Sequence, residues 1–448
     1  MPNSLAKLFG KSLICDDQIS EGQSVSQPPP PSSVRRTVEA SSLMDPNSNS
    51  VLTEDAADSK RGHVFHMQMV GGECNHACVS RRIRHYYSRR RKTNMESLPD
   101  ELVFQILLDI AAQDIYKGAR FVCKKWYDII HSRNFIYRHL HCATPGLLFQ
   151  SYKPLRRLVF VAMHNGRIKI SKFSYKFRRR ALSSCNGLIV ESDLDDIYAL
   201  YIVNPATKQR LALPPVSLPT ITHKYYAIAY AAASMHYKVV LVHPCRYKTS
   251  TIWSCAILTV GVDESWRLVN IDYLSVKSTI AFTCAPLTTE GFIHWVNSKC
   301  THVVTFNVET ETIKETPVPD GYGDGVKHYL STGSSLTLFI PCGEYSWEVL
   351  KMKPETGEWT KLFEIDLESQ KGKFEHLVSE CRPRPGNSSF ILELVGWLNY
   401  EEVLVLRGSS VRVYILYNVG VQEIDFFELD YSFCYSSFNV HRNSLVYG

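Results

Sequence analysis

Few groups in this chain have the types and spacing to do chemistry. Cys185-Asn186-Gly187 would offer a thiol nucleophile. His63, His66, Cys74, His76 and Cys78 gather five soft ligands in sixteen residues, a donor set suited to zinc. Their spacing argues against it, because Cys74-x3-Cys78 lacks a second pair at a standard interval. Asp193, Asp195 and Asp196 have the oxygens for calcium but read as an exposed acidic hairpin loop. His294 and Trp295 sit in a strand pattern, where the expected role is core or channel lining. No Walker loop, dinucleotide fingerprint, nucleophile elbow or HExxH is present. The expectation is therefore no catalytic residue, no metal and no cofactor.

What remains to explain is how the chain is organised. It has 448 residues, room for two or three domains, and 45% hydrophobic residues, ample for a core. The formal charge of +6 is modest and unevenly placed. Thirteen cysteines lie scattered with no tight framework, which fits a reducing compartment. The N-terminus lacks a continuous apolar stretch, so no secretory signal is expected. The most apolar later stretch, Tyr225–Met235, is too short to span a bilayer, so a soluble protein is expected.

Residues 1–94 lack apolar periodicity. Pro28–Pro31 is a run of prolines, and Ser-rich sequence follows at Ser41–Ser50. Such composition buries too little surface to offset ordering entropy, so this tail is read as disordered. Within it, segment 80–92 carries seven basic residues: Arg81, Arg82, Arg84, Arg89, Arg90, Arg91 and Lys92. It is a candidate nuclear-import signal, with a solvated linker as the alternative. Tyr86 and Tyr87 between the basic runs could stack on bases, but nucleic acid is the least favoured partner. Residence in the nucleus, the cytoplasm or both follows.

Residues 95–142 read as a small helical module. Ser97, Pro99, Asp100 and Glu101 form a start signal, with Ser97 as the cap. Leu98, Leu102, Ile106 and Ile110 recur every four residues, widened by Val103 and Leu107. Gln113–Gly118 reads as a short break. A second stripe follows in Ala119, Val122, Cys123, Trp126, Ile129 and Ile130, and a third piece runs Phe135–Leu140. So short a segment cannot hide this much apolar surface alone. It must pack on the rest of the chain or on a partner.

From residue 147 to 448 the pattern changes to short runs rich in Val, Ile, Tyr, Phe and Trp, punctuated by Gly, Pro, Asn and Asp. One unit recurs. Ser184–Val190, Ala199–Thr207 and Leu211–Pro214 are echoed by Gly291–Val296, Val303–Thr310 and Thr316–Pro319. They are echoed again by Ser335–Ile340, Trp347–Thr356 and Trp359–Leu362, and less fully around Trp253–Leu268 and Glu402–Asn418. The turns Asn204–Thr207, Asn307–Thr310 and Lys353–Thr356 share a polar start and a Thr suited to back-bonding the turn. Units repeating at intervals of about 46 to 65 residues, each with several strands, predict propeller blades. A single sandwich of this length would be oversized. The expected fold is α+β multidomain: a disordered tail, an all-α module and an all-β propeller of six or seven blades.

These residues carry a resemblance. Leu98-Pro99-Asp100-Glu101-Leu102, Ile106-Leu107 and Arg120-Phe121-Val122-Cys123-Lys124-Lys125-Trp126 resemble an F-box in order and spacing. Ala111-Ala112-Gln113 departs from the Leu-Pro that relatives often carry before the second helix. Ser184-Cys185-Asn186-Gly187-Leu188, Asn204-Pro205-Ala206-Thr207 and the closing Ser444-Leu445-Val446 resemble plant-type F-box-associated domains, which are kelch-related. The resemblance implies that Cys185-Asn186-Gly187 opens a blade strand. It implies a Skp-type adaptor as partner and, through it, cullin and RING subunits. It further implies that the chain is a non-catalytic substrate receptor for a protein substrate still to be identified. Carried over by position, Leu98, Pro99, Leu102, Ile106, Leu107, Val122, Cys123 and Trp126 form the adaptor surface, with Trp126 as its anchor. The other place for Trp126 is the module's own core. Two alternatives stay open: an F-box scaffold acting outside the ligase, and a propeller that binds a small molecule or glycan. Tyr225, Tyr226, Tyr322, Tyr329 and loop Gly321–Gly325 are candidate recognition residues; the substrate-binding residues remain unknown.

Overall fold

The structure, a computed structural model, describes residues 97–446 apart from 152–156, 174, 176, 178–179, 193–198, 217–223, 248–249, 299, 320–325, 374–375, 377–391, 409–412 and 431–436. The histidine–cysteine cluster, the basic segment, Asp193, Asp195, Asp196 and loop Gly321–Gly325 with Tyr322 lie outside the described residues.

Four α-helices come first: α1 Asp100–Leu108, α2 Ala112–Lys117, α3 Lys124–Ile130 and α4 Arg133–Cys142, with a 3-10 turn Ala119–Phe121 between α2 and α3. Three details differ from expectation. Pro99, not Ser97, occupies the cap position of α1, where its fixed φ of −54° suits the helix entry. The expected break at Gln113–Gly118 is mostly helix, because Ala112 and Ile115 turn one side into the core. Gly118 ends that helix. Ser132 is the side-chain cap of α4, its Oγ accepting from the Phe135 amide at 3.2 Å.

The strands among the remaining described residues form six four-stranded antiparallel sheets. Blade 2 is built from Ala181–Cys185, Leu188–Ser192, Leu200–Asn204 and Gln209–Ala212 in consecutive order. Blades 3 to 6 follow the same order, starting at Tyr225, Leu287, His328 and Leu392. Blade 1 is composite. The last strand, Ser437–His441, lies innermost and pairs with Gly146–Gln150, followed by Leu158–His164 and Arg167–Lys172. Neighbouring innermost strands touch all around the circle, so the ring is closed by joining the two ends of the domain.

Packing explains the sequence pattern. Second and third strands are buried on both faces between neighbouring blades and read as unbroken apolar runs, such as Leu188–Val190 and Val239–Val242. Outermost strands alternate, as in Thr312–Pro317. The Pro at the end of an outermost strand has a role of its own. The Pro214 carbonyl accepts from Trp266 Nε1 of the next blade, and the Pro317 carbonyl accepts from Trp359 Nε1, both at 3.0 Å. Blades 3 and 4 are further joined by Glu311, which takes Lys238 at 2.8 Å and Arg267 at 2.8 Å.

Asn shapes three of the recurring turns, while in Lys353–Thr356 the expected Thr back-bond forms, Thr356 Oγ1 accepting from the Glu358 amide at 3.2 Å. Asn204, Asn307 and Asn418 each accept two backbone amides through Oδ1, a geometry their short planar carboxamide reaches without strain. In two of those Asn turns the threonine bonds forward into the next strand, Thr207 to Gln209 and Thr310 to Thr312.

Candidate functional site

The helical module has a closed core. Val103, Leu107, Ala112, Ile115, Trp126, Ile130 and Phe135 pack together, with Phe104 edge-on to Phe135 at 5.2 Å. His139 Nε2 donates to the Ile110 carbonyl at 2.9 Å, tying α4 to the end of α1; burial holds this imidazole below its usual range. Lys125 joins α3 to the start of α1 through Asp100 at 2.6 Å and the Leu98 carbonyl.

This core divides the residues expected at the adaptor surface. Leu107 is 0% exposed and Trp126 5%, so neither lies on the outer face. Trp126 as surface anchor is corrected: from α3 its indole packs inward with Val103 and Leu107 of α1 and Phe135 of α4. Leu102, Ile106 and Val122 are exposed at 52%, 44% and 47%; Pro99 is exposed, and Leu98 and Cys123 are half-buried. Two apolar residues not counted in the expected adaptor surface join them, Phe121 at 68% and Tyr127 at 46%. Both lie off the apolar stripe that holds Trp126, so a helix that buries the stripe turns them outward. The Arg120 guanidinium sits 4.5 Å from the Phe121 ring centroid.

The module is seated on blade 2 through the family motifs. Asn204 Nδ2 donates to the Ser444 carbonyl at 3.0 Å and the Val446 carbonyl at 2.8 Å. Ser444 Oγ donates to the Asn186 carbonyl at 2.6 Å. Gly187, at φ 87°, lies so close that an added Cβ would stand 2.1 Å from Ser444 Oγ. So held, Leu445 enters the module's core beside Ala206. Val446 joins Leu140 of α4 and Leu188 in the blade 2 core. Three motifs distant in sequence thus converge on one joint.

Two of the groups first considered, Cys185 and His294, lie among the described residues. Burial pushes the Cys185 thiol up to about 12, so it stays protonated at neutral pH. His294 is enclosed, its two ring nitrogens bonded to Thr289 and Thr305 at 2.9 and 3.0 Å, and burial depresses it to about 3. Ser184 Oγ and His441 Nδ1 are 2.7 Å apart, but both are buried where the closing strand meets blade 2. Tyr226, expected at the surface, is corrected to the blade 2–blade 3 core, because its place in the innermost strand faces Leu241 and Ile228 neighbours rather than solvent. Tyr225 and Tyr329 are half-buried. Among the described residues no group of His, Cys, Asp and Glu is placed to hold a metal ion, and no helix is long and apolar enough to cross a membrane.

Comparison with known proteins agrees with this layout. Residues 95–143 match the F-box-like family and residues 145–331 the F-box associated beta propeller domain. The chain is 24% identical to F-box protein At5g49610 of Arabidopsis thaliana, across 70% of this chain and 89% of that protein. It is 25% identical to F-box protein At3g07870 of the same plant, across 71% and 85%. Among solved structures, a chain of a nidogen/laminin complex aligns with a TM-score of 0.38 at 10% identity, covering 67% of this chain and 98% of that one. The helical module, the six-bladed ring and the motifs joining them identify this chain as a plant-type F-box protein with an F-box-associated β-propeller.

Proposed function

We propose that this chain is the substrate-recognition subunit of an SCF-type cullin–RING ubiquitin ligase. The observation that carries the reading is the outer apolar strip of the helical module: Leu102, Ile106, Phe121, Val122 and Tyr127 are exposed although the core beneath is complete. Fully burying a large apolar side chain is worth about 1.5–3 kcal/mol, so such a strip favours a partner. A Skp-type adaptor is the partner proposed for it, with cullin and RING subunits reached through that adaptor. The propeller then holds the substrate. The mechanism is proximity: tethering raises the effective concentration of a substrate lysine at the charged conjugating enzyme. The chain forms no covalent intermediate of its own. Nuclear or cytoplasmic residence is proposed from Arg81–Lys92.

Co-purification with a Skp-type adaptor and a cullin tests the reading. Wild type should retain both, and Ile106→Asp/Val122→Asp should retain neither while folding normally. Adaptor bound without cullin would favour a scaffold outside the ligase, and no adaptor at all would overturn the proposal.

A further inference from the structure

Blade 1 ends on its outermost strand, Arg167–Lys172, which pairs on one side only, with Leu158–His164. The two strands meet in a two-residue turn, Asn165-Gly166, with φ of 50° and 71°. Such a turn makes His164 and Arg167 a pair that exchanges both backbone bonds. Bonded and unbonded pairs then alternate along the register Met163↔Ile168, Ala162↔Lys169 and Val161↔Ile170. The N–H and C=O groups of Ile168, Ile170 and Lys172 therefore point outward, and they have no partner among the described residues. The register has no bulge and the strand no proline, so the edge can take a further strand. Other outermost strands offer less. Arg267–Val269 has three residues, the Ile313 carbonyl already accepts from the Tyr273 hydroxyl at 2.9 Å, and the Phe426 amide is taken by Asp425 Oδ1 at 2.8 Å.

The two faces beside this edge differ. His164, Arg167 and Lys169 are exposed and share the face toward blade 2, the face on which Phe160 and Ala162 enter the core between blades 1 and 2. Ile168 and Ile170 share the face toward blade 6, where Ile168 and Met163 join the core between those blades and Ile170 is 40% exposed. His164, Asn165, Arg167, Ile168 and Lys169 line a shallow hollow of about 460 Å³. Charge here is one-sided. Residues 129–190 contain twelve Lys or Arg and no Asp or Glu. Among the described residues no carboxylate pairs with Arg167, Lys169 or Lys172. The outermost strand of blade 2, Gln209–Ala212, has no acid, and Ser192 and Leu200, which flank Asp193, Asp195 and Asp196, lie at the far end of blade 2 from the His164 turn. Acids do stand on the blade 6 side. Glu402, bonded by Asn399, shares a groove with His164 and Asn165, and Glu423 and Asp425 face blade 1 from the outermost strand of blade 6.

We propose that the outermost strand of blade 1 docks an extended acidic segment of the substrate, which adds to the blade as a fifth strand. The outward backbone groups of Ile168, Ile170 and Lys172 hold its main chain. Its acidic side chains lie over Arg167 and Lys169, and the apolar side chains between them lie over Ile168 and Ile170. Glu423 and Asp425 repel acids from the blade 6 face, so the segment's alternation fixes its register. Basic residues on an edge keep it from pairing with copies of itself, which leaves an opposite charge as the fitting occupant. The inference rests on the substrate-receptor reading, since the docked segment belongs to the substrate.

The test is selection of a random linear peptide library on the full chain, with the selected peptides then measured by fluorescence polarisation. Peptides that alternate Asp or Glu with Val, Ile or Leu are expected. Methylating their amides one at a time should weaken binding at every second position, the mark of a strand paired along one edge. Arg167→Glu/Lys169→Glu should weaken binding about tenfold or more. Ile170→Pro removes an outward N–H and no ladder bond, so it should abolish binding with little change in melting temperature and none in adaptor capture. No enrichment, acidic peptides without alternation, a methylation scan without the two-residue period, or binding indifferent to both variants would overturn the proposal. So would single-stranded RNA bound at Arg167 and Lys169 in place of peptide, or self-association of the chain that Ile170→Pro abolishes. Adaptor capture is scored on the same preparations, so failure of the ligase reading and failure of this edge are separate results.

Discussion

Asn204 and Ser444, 240 positions apart, are joined by a carboxamide that is fully used: Nδ2 donates to the Ser444 and Val446 carbonyls while Oδ1 accepts the amides of Ala206 and Thr207. One side chain thereby shapes a blade turn, anchors the last described residues and sets Leu445 under the helical module. Asn204→Ala leaves buried carbonyls and amides without partners, each worth about 1–3 kcal/mol. Chemical denaturation should show a loss of at least about 2 kcal/mol. Protease cleavage between Cys142 and Gly146 should rise as the module loosens. Leu445→Asp should produce the same cleavage with less effect on blades 3 to 5.

Gly187 makes a second demand on the same joint. Its φ of 87° disfavours any side chain, and a Cβ would overlap Ser444 Oγ. Gly187→Ala should lower the melting temperature by several degrees. Adding Ser444→Gly should recover only part of the loss, because the overlap is relieved while the backbone conformation stays costly. Full recovery would show that φ is unimportant here.

The helical module separates fold from binding. Trp126→Ala opens a cavity beside Leu107 and Ile130 and should cost about 3–5 kcal/mol, so loss of adaptor capture would follow from unfolding. Phe121→Asp alters an exposed residue and should leave the melting temperature within a degree or two while abolishing capture. Equal melting curves for wild type and Trp126→Ala would contradict the assignment of Trp126 to the core.

Five blades were legible in the sequence because each is local: strands and turns follow one another in order, with an Asn opening the turn in three of them. Blade 1 was not, since its innermost strand arrives from Ser437–His441, and no local repeat records that pairing. The joint was visible only as motifs; that Asn204, Gly187 and Ser444 meet is a fact of ring closure. Trp126 shows a different limit. Its place in the apolar stripe is the same whether the stripe faces a partner or the core, and only the packing of α1 and α4 against it decides. Helix α2 was read as a break because six residues are too few for a period to show.

The enclosed histidines predict how stability depends on pH. Burial holds His294 at about 3 and His441 at about 4, against about 6.5 in the unfolded chain. Between those values the unfolded state binds protons that the folded state refuses, so stability falls as pH falls from about 6.5. Each histidine can contribute up to about 1.4 kcal/mol per pH unit over that window. Carboxylates act lower down. Glu311, held at about 2 first by its bonds from Arg267, keeps its stabilising effect above about 4.5 and loses it only below. Thermal melts from pH 7 to pH 5 therefore report the histidines. The melting temperature should drop steadily across that range, and His294→Gln, though less stable at pH 7, should show a distinctly shallower drop. An unchanged slope would mean that His294 takes up its proton without disturbing its two threonine partners.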